Sequence, residues 1–259
     1  MRGYVDTRWG QVHYRRHGTE QPAVVLLHES PLSSGAYEAV LPLLGSRLTA
    51  IALDTPGYGA SDVPPTVVEI PDYAATLLEA IDALGIEQFA VAGVHTGASL
   101  AIQLAVQAPQ RVTHAVLSGI PLLSAERRAW FLENWAPEVE VAADGSHLTW
   151  AWERYERIWE GPPELLHFGA TTLLANLARY HVGYNAAFRY DPDPDLPSVR
   201  CPVLLYTAER DLLIDADELA VDKLPDARLE RVHGYVGQLP ARAPEAFSDR
   251  VVRFVTSDT

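Results

Sequence analysis

The segment VAGVHTGASL places one histidine, His95, between two glycines, Gly93 and Gly97. The apolar residues before His95 predict a strand and the small residues after it predict a helix, so His95 falls on a sharp turn between the two. An imidazole changes charge near neutral pH. It can activate water, abstract a proton from carbon or oxygen, or attack a carbonyl to form an acyl-imidazole. His95 is therefore the first candidate for chemistry.

Composition and charge narrow the class of protein. The 259 residues carry a formal net charge of −14, and 48% of them are hydrophobic, enough for a large buried core. The acidity argues against nucleic acid and anionic membrane as partners, because both attract clustered Lys and Arg. The single cysteine, Cys201, allows no internal disulfide and no thiolate metal site. The N-terminus has no apolar signal core and no run approaches membrane-spanning length, so we expect a cytoplasmic protein.

Apolar runs and helical periodicities alternate along most of the chain. After an opening antiparallel hairpin, strands are predicted at 22–28, 48–54, 88–93, 112–120, 201–211 and 227–234. Helices are predicted at 36–45, 73–85, 96–109, 215–223 and 244–255. This alternation is typical of an α/β fold, with a mostly parallel central sheet flanked by helices. Because ligands of such sheets bind at the carboxyl ends of the strands, the turns that follow the strands are expected to carry the site.

The alternation breaks over residues 122–192, where the patterns indicate helices only. We predict that this segment is a helical cap inserted after the sixth strand, and that residues 1–121 and 193–259 form the core. Small-molecule sites are mostly apolar with few polar groups. The cap aromatics Trp152 and Tyr155 are therefore predicted to contact the substrate.

Five motifs resemble the α/β-hydrolase superfamily, specifically its cap-bearing branch, over nearly the whole chain. DTPGYGASD (54–62) resembles the D-x-P-G-x-G-x-S turn most closely, and LLHESPLSS (26–34) is similar to the His-Gly-x-Pro turn, with Glu29 in place of glycine. The other matches are GVHTG (93–97) at the nucleophile elbow, YTAERD (206–211) at the acid and GYVGQLPARAPEAF (234–247) at the histidine.

The resemblance implies that two of the three triad positions depart from the family's pattern. His95 stands in the place of the nucleophile and Gln238 in the place of the histidine, so that only the acid, Asp211, is retained. Without a hydroxyl at the elbow no seryl acyl-enzyme can form. His233 is a rival for the missing histidine, but its distance to the following Pro-Glu-x-Phe segment is too long.

A His95–Asp211 dyad is the alternative that these residues allow. An imidazole at position 95 could extend into the space of the usual histidine, where Asp211 would accept a hydrogen bond from one ring nitrogen and fix the tautomer. The other nitrogen would face the pocket as a base or nucleophile, and general-base work contributes roughly 10²–10⁴-fold. Gln238 would orient substrate or water through hydrogen bonds.

The resemblance also implies an oxyanion hole formed by the backbone N–H groups of Ser30 and Thr96. Glu29 bears on this feature, because glutamate tolerates poorly the positive φ that a glycine at that position permits. Its carboxylate either points into solvent or lies at the pocket mouth, where it would contact substrate and repel anions.

Together these features predict a cofactor-independent enzyme on the α/β-hydrolase fold, acting on a small, mainly apolar organic molecule. Hydrolysis, C–C or C–O lyase and isomerase reactions all stay open, because each needs proton transfer and no serine. The alternative is a noncatalytic small-molecule receptor or binding protein that keeps the pocket. No metal is expected, since no His, Asp and Glu cluster has ligand spacing. Whether the protein forms a homodimer stays open.

Overall fold

A computed structural model of the chain describes residues 1–257. Its strands are β1 (Arg2–Thr7), β2 (Gly10–His17), β3 (Ala23–Leu27), β4 (Thr49–Leu53), β5 (Phe89–Val94), β6 (Val112–Ser118), β7 (Val203–Ala208) and β8 (Ala227–Val232). They form one eight-stranded sheet in the order β1-β2-β4-β3-β5-β6-β7-β8. The β1–β2 and β2–β4 pairs are antiparallel, and every later pair is parallel. The predicted α/β fold with a mostly parallel sheet is confirmed.

Helices cover both faces of the sheet because the central strands are apolar on both sides. In β3, Val25 and Leu27 belong to one buried cluster, whereas the alternate residues Val24 and Leu26 belong to another. The first cluster includes residues of α2 (Ile70–Ala83), α3 (Thr96–Gln107) and α8 (Ile214–Ala220). The second includes residues of α1 (Val40–Gly45), the short α9 (Leu239–Arg242) and α10 (Pro244–Val255).

Four helices lie between β6 and β7 in the chain. They are α4 (Ala125–Asn134), α5 (Ser146–Ile158), α6 (Pro163–Ala175) and α7 (Tyr180–Arg189). Side chains from α5, α6 and α7 form most of a separate apolar cluster, which includes Tyr155, Leu173 and Tyr180 and also contains Leu32 from the loop after β3. We call α4–α7 the inserted helices. In the described part of the chain, no helix is both long enough and apolar enough to cross a bilayer.

The parallel pairing fixes where the site can form. The carboxyl ends of β3, β5, β6, β7 and β8 lie at one edge of the sheet, because these strands all run in the same direction. The turns that leave this edge carry Glu29, His95, Gly119, Asp211 and, after a longer loop, Gln238. Residues far apart in the chain therefore meet there.

Candidate active site

His95 stands on the tight turn between β5 and α3. It adopts a positive φ of 49° with ψ of −109°, a conformation that costs a non-glycine residue about 1–3 kcal/mol. A Cβ on Gly97 would lie against the carbonyl oxygen of Leu27, so only glycine lets the turn pack this closely on β3. The His95 backbone N–H donates to the Ser118 carbonyl over 2.8 Å, which holds the turn against β6. The strained backbone of this turn therefore places one imidazole at the edge of the sheet.

The His95 ring is held between two carboxylates. Its Nε2 lies 3.0 Å from Oδ1 and 3.1 Å from Oδ2 of Asp211, and its Nδ1 lies 2.6 Å from Oε2 of Glu29. The Asp211 side chain has no exposed surface, and the side chain of Glu29 is only 9% exposed. Asp211 is further fixed by the Leu213 N–H, which donates to Oδ1 over 2.9 Å.

This arrangement favours the doubly protonated ring. An ionised carboxylate only accepts hydrogen bonds, so both ring nitrogens of His95 must carry a proton to donate to Glu29 and Asp211. Burial disfavours the charged ring, yet the attraction of Asp211 and Glu29 outweighs it and raises the pKa of His95 well above its usual 6.5. Burial likewise works against ionised Asp211, but the adjacent imidazolium lowers the pKa of that carboxyl. The group of three is a carboxylate–imidazolium–carboxylate chain.

The position of Glu29 corrects both expectations for its carboxylate, which points neither to solvent nor to the pocket mouth but inward, to Nδ1 of His95. As a result, the second ring nitrogen of His95 does not face the pocket as a free base. The expected backbone strain is also absent, since the non-glycine residues with positive φ in the described chain are His95 and Gln238. The attraction between imidazole and carboxylate explains the inward orientation.

His28 positions the loop that carries Glu29. Its Nε2 accepts a hydrogen bond from the Thr55 N–H over 3.0 Å, so Nδ1 carries the proton and donates to the Glu29 carbonyl over 2.9 Å. Burial lowers the pKa of His28, in keeping with a neutral ring. His28 therefore links the turns after β3 and β4.

Sequence reasoning missed two residues near the imidazole. Gly119 leaves room for the ring, and Asp217 holds the backbone at Gly119 in place. Gly119 has φ of +68°, and a Cβ there would lie 2.6 Å from Nε2 of His95 and 3.1 Å from Oδ1 of Asp211. Asp217, fully buried, accepts hydrogen bonds from the N–H groups of Gly119 and Ile120 over 2.8 and 2.7 Å and from the Thr207 hydroxyl. Burial raises the pKa of Asp217 to about 6. The Ser-Gly step that ends β6 was the available sequence signal for Gly119.

The trio lies at the floor of a cavity of about 360 Å³ between the sheet edge and the inserted helices. Five aromatic side chains line the cavity, namely Phe131, Trp135, Trp159, Tyr184 and Phe188. Aliphatic residues and the ionisable side chains of Arg157, Glu160 and Arg210 line it as well. Trp152 and Tyr155, which were predicted to contact substrate, lie elsewhere: Trp152 is 37% exposed at the surface, and Tyr155 is buried in the apolar cluster of the inserted helices. Both are on α5, but the cavity is reached by that helix's last turn and by Trp159, one residue beyond it.

Some of the remaining predicted site residues line the cavity and others do not. Gln238 and Thr96 line the cavity, whereas Ser30 does not, and its hydroxyl approaches the Tyr58 hydroxyl instead. Within residues 1–257, neither the Ser30 nor the Thr96 N–H donates a hydrogen bond to a protein acceptor. His233, the rival histidine, is exposed and pairs with Glu209. Over the same residues, no group of three His, Cys, Asp or Glu side chains is arranged to hold a metal ion.

Comparison with known proteins identifies the family. Residues 22–235 match the alpha/beta hydrolase fold family, and the chain belongs to it. The chain is 27% identical to the "Uncharacterized carboxylesterase nap" of Bacillus subtilis (strain 168), over 99% of this chain and 87% of that protein. It is 26% identical to the "Putative carbamate hydrolase RutD" of Azorhizobium caulinodans, over 94% of each chain. Bromoperoxidase from Bacillus anthracis shares the fold with a TM-score of 0.84 at 17% identity, over 99% of this chain and 100% of that one.

Proposed function

We propose that this protein is a hydrolase of a small, mainly apolar molecule and that Glu29, His95 and Asp211 act together as its acid–base centre. The observation that supports this most is the imidazole held between two buried carboxylates beneath an aromatic cavity. Burying three ionisable groups is costly, and apolar residues of similar size would stabilise a purely structural contact at least as well. Ionisable groups whose pKa values are shifted by burial and neighbouring charges cluster at functional sites.

Ester or carbamate bonds are the proposed targets. The relatives named as a carboxylesterase and a carbamate hydrolase favour hydrolysis over the lyase and isomerase reactions. The aromatic walls suit an aryl or alkyl substituent next to the scissile bond. The trio carries one net negative charge, from two carboxylates and one imidazolium, so an anionic group directly against the trio is disfavoured. Arg157 and Arg210, which also line the cavity, are the groups that would attract an anion elsewhere in it.

The proposal extends the His95–Asp211 dyad by one residue. Asp211 is within hydrogen-bond reach of Nε2, as a dyad requires. Glu29 accepts a hydrogen bond from Nδ1 of His95, the ring nitrogen that would be free in a dyad. Glu29 is therefore part of the proposed acid–base centre together with His95 and Asp211. The inserted helices, which supply most of the aromatic wall, would act as the cap over this centre.

Hydrolysis of p-nitrophenyl butyrate and of a p-nitrophenyl N-alkylcarbamate tests the proposal. We expect the wild-type protein to turn over at least one of them, and His95→Asn to reduce kcat roughly 10²–10⁴-fold, the range for losing an acid–base group. Asparagine is one of the non-glycine residues most often found at positive φ. His233→Asn is the matched control, because His233 is exposed outside the cavity. Equal rates for the His95 and His233 variants would contradict the proposal.

One observation favours the noncatalytic alternative. Both ring nitrogens of His95 are engaged, so the imidazolium offers no lone pair to a substrate. A binding protein would accordingly take up the same probes without turnover. Quenching of tryptophan fluorescence detects such binding, since Trp135 and Trp159 line the cavity. Saturable quenching without product formation, in both wild type and His95→Asn, would contradict the hydrolase proposal and support a receptor.

A further inference from the structure

We propose that Glu29 is the general base and that a small cavity between Glu29 and Gln238 holds the water molecule that it activates. This inference rests on the proposed hydrolase function and specifies how the reacting water is held. It assigns proton abstraction to the residue that replaces a glycine in the loop after β3, not to the imidazole at the elbow.

The small cavity has room for one water. Its volume is about 20 Å³, and Glu29, Trp159 and Gln238 line both this cavity and the large one, so the two adjoin. A void needs at least about 10–15 Å³ of this kind of volume to hold a water, together with two to four polar partners. The volume therefore fits a single molecule.

Two residues that line this space, Glu29 and Gln238, carry hydrogen-bond acceptors. Oε1 of Gln238 is buried and has no hydrogen-bond partner within residues 1–257, although buried acceptors are nearly always paired. The ionised Glu29 carboxylate also only accepts. Two acceptors cannot satisfy each other, but one water that donates a proton to each satisfies both.

Two other polar side chains around the small cavity, His28 and Tyr37, already have partners. His28 employs both ring nitrogens, in bonds to the Glu29 carbonyl and the Thr55 N–H. The Tyr37 hydroxyl donates to the Leu27 carbonyl over 2.8 Å. The proposed water therefore has Glu29 and Gln238 as the acceptors of its two protons.

A water bound in this way is oriented for attack. Since it donates both protons, its lone pairs are free to face an acyl carbon held in the large cavity. The water oxygen forms a bond to that carbon, one water proton moves to Glu29, and the carbonyl π pair becomes an oxyanion beside the Thr96 N–H. When the bond to the leaving oxygen breaks, the carbonyl re-forms and the leaving oxygen takes the proton from Glu29. The sum is ester plus water giving acid plus alcohol.

The charge of the trio supports Glu29 in this role. A doubly protonated His95 has no lone pair with which to accept a proton. The two carboxylates carry one negative charge more than the imidazolium, and accepting a proton on Glu29 neutralises the trio. Asp211 is less suited, because both of its oxygens lie against Nε2 of His95 and Oδ1 also accepts from the Leu213 N–H.

Glu29→Gln tests the base, with Glu87→Gln as the matched control. Glu87 is exposed just before β5, at the opposite edge of the sheet. With p-nitrophenyl butyrate, we expect Glu29→Gln to lower kcat roughly 10²–10⁴-fold with little change in KM, and the control to match wild type. Gln238→Asn, which tolerates the positive φ of 45° and withdraws Oε1, should lower kcat by a smaller factor at unchanged KM.

Two further readouts separate this inference from the hydrolase function. In a single turnover in ¹⁸O-water, the label should enter butyrate and not the Glu29 peptide, with no acylated protein in the mass spectrum. A crystal structure should show one ordered water between Oε1 of Gln238 and Glu29, lost in Gln238→Asn. Active wild type with an unaffected Glu29→Gln, a labelled Glu29 or an empty small cavity would overturn this inference and leave the hydrolase standing. An ordered water in a protein that turns over no probe would overturn both.

Discussion

Nδ1 of His95 lies 2.6 Å from Oε2 of Glu29, although 66 positions separate the two residues in the chain. The contact joins the turns after β3 and β5, which are neighbouring parallel strands. It changes the chemistry available at the elbow, because an imidazole with a carboxylate at each nitrogen is a held cation and not a free base. Four predictions follow from this geometry and from the residues that support it.

The His95 ring should stay doubly protonated through neutral pH. Its pKa is raised well above 6.5, since Glu29 and Asp211 outweigh the cost of burial. Nitrogen-15 NMR of histidine-labelled protein should show two protonated ring nitrogens for His95 at pH 7, with the signal assigned by its loss in His95→Asn. In Glu29→Gln, one of the two raising charges is gone, so the ring should titrate at a lower pH than in wild type. A wild-type ring that is neutral at pH 7 would contradict the assignment.

Replacing His95 by asparagine should destabilise the fold at pH 7. Two buried carboxylates would then face each other without the cation, and leaving buried charge unpaired costs about 3–5 kcal/mol. Because the folded pKa of His95 is raised, its stabilisation is full below pH 6.5 and is lost only as pH rises through the folded value. Urea unfolding should therefore show a large deficit for His95→Asn at pH 7. In the variant, the two carboxyls lose the cation that favours their charged forms, so acid should protonate them and narrow the deficit at pH 5. His233→Asn should show neither effect.

Gly119→Ala should lower stability and activity by more than the cost of placing alanine at a positive φ. The new methyl group would collide with the His95 ring and approach Oδ1 of Asp211. Gly85→Ala is the matched control, because Gly85 has φ of +70° against +68° for Gly119. Apart from its two chain neighbours, no residue in the described part of the chain has an atom within 4 Å of the added methyl group. Both variants should lose about 1 kcal/mol or more from the positive φ. Thermal melts and butyrate-ester hydrolysis should show a further loss in Gly119→Ala only.

Asp217 should give the protein a falling stability between about pH 4 and pH 6. Its folded pKa of about 6 exceeds the ordinary 3.8, so its stabilisation is present below the lower value and lost as pH rises through the higher one. The shift corresponds to a change on the order of 3 kcal/mol. Urea unfolding from pH 4 to 7 should show this slope in wild type and in Asp215→Asn, an exposed control on the same helix. Its persistence in Asp217→Asn would assign the slope to other groups.

Much of the architecture could be predicted because it depends on local pattern. The run at 22–28 is apolar at every position, which predicts a strand covered on both faces, and β3 is buried throughout. The helix predicted at 36–45 begins later, at Val40, after a 3-10 turn over Ser34–Tyr37. Such boundaries depend on which residues the neighbouring loop can cap, and periodicity does not report this.

The candidate site could be predicted only in part. Gly93 and Gly97 predict that His95 lies on the turn between a strand and a helix, because this turn requires glycine on both sides. The orientation of Glu29 was mispredicted, since it depends on a side chain from another strand. Residue type predicts Trp152 as a substrate contact, but the face of α5 that reaches the cavity is set by packing among the inserted helices.

The sequence by itself determined the strand and helix order, the family and the identity of the residue at the elbow, because each of these follows from periodicity or from contiguous motifs. Only the tertiary structure decided that Glu29 turns inward, that Gly119 leaves space for the ring and that a buried oxygen of Gln238 has no partner among residues 1–257. These features arise where parallel strands bring distant turns to one edge of a sheet. The orientation of a side chain there depends on the charges and the free space that other parts of the chain provide, and no single sequence segment reveals these.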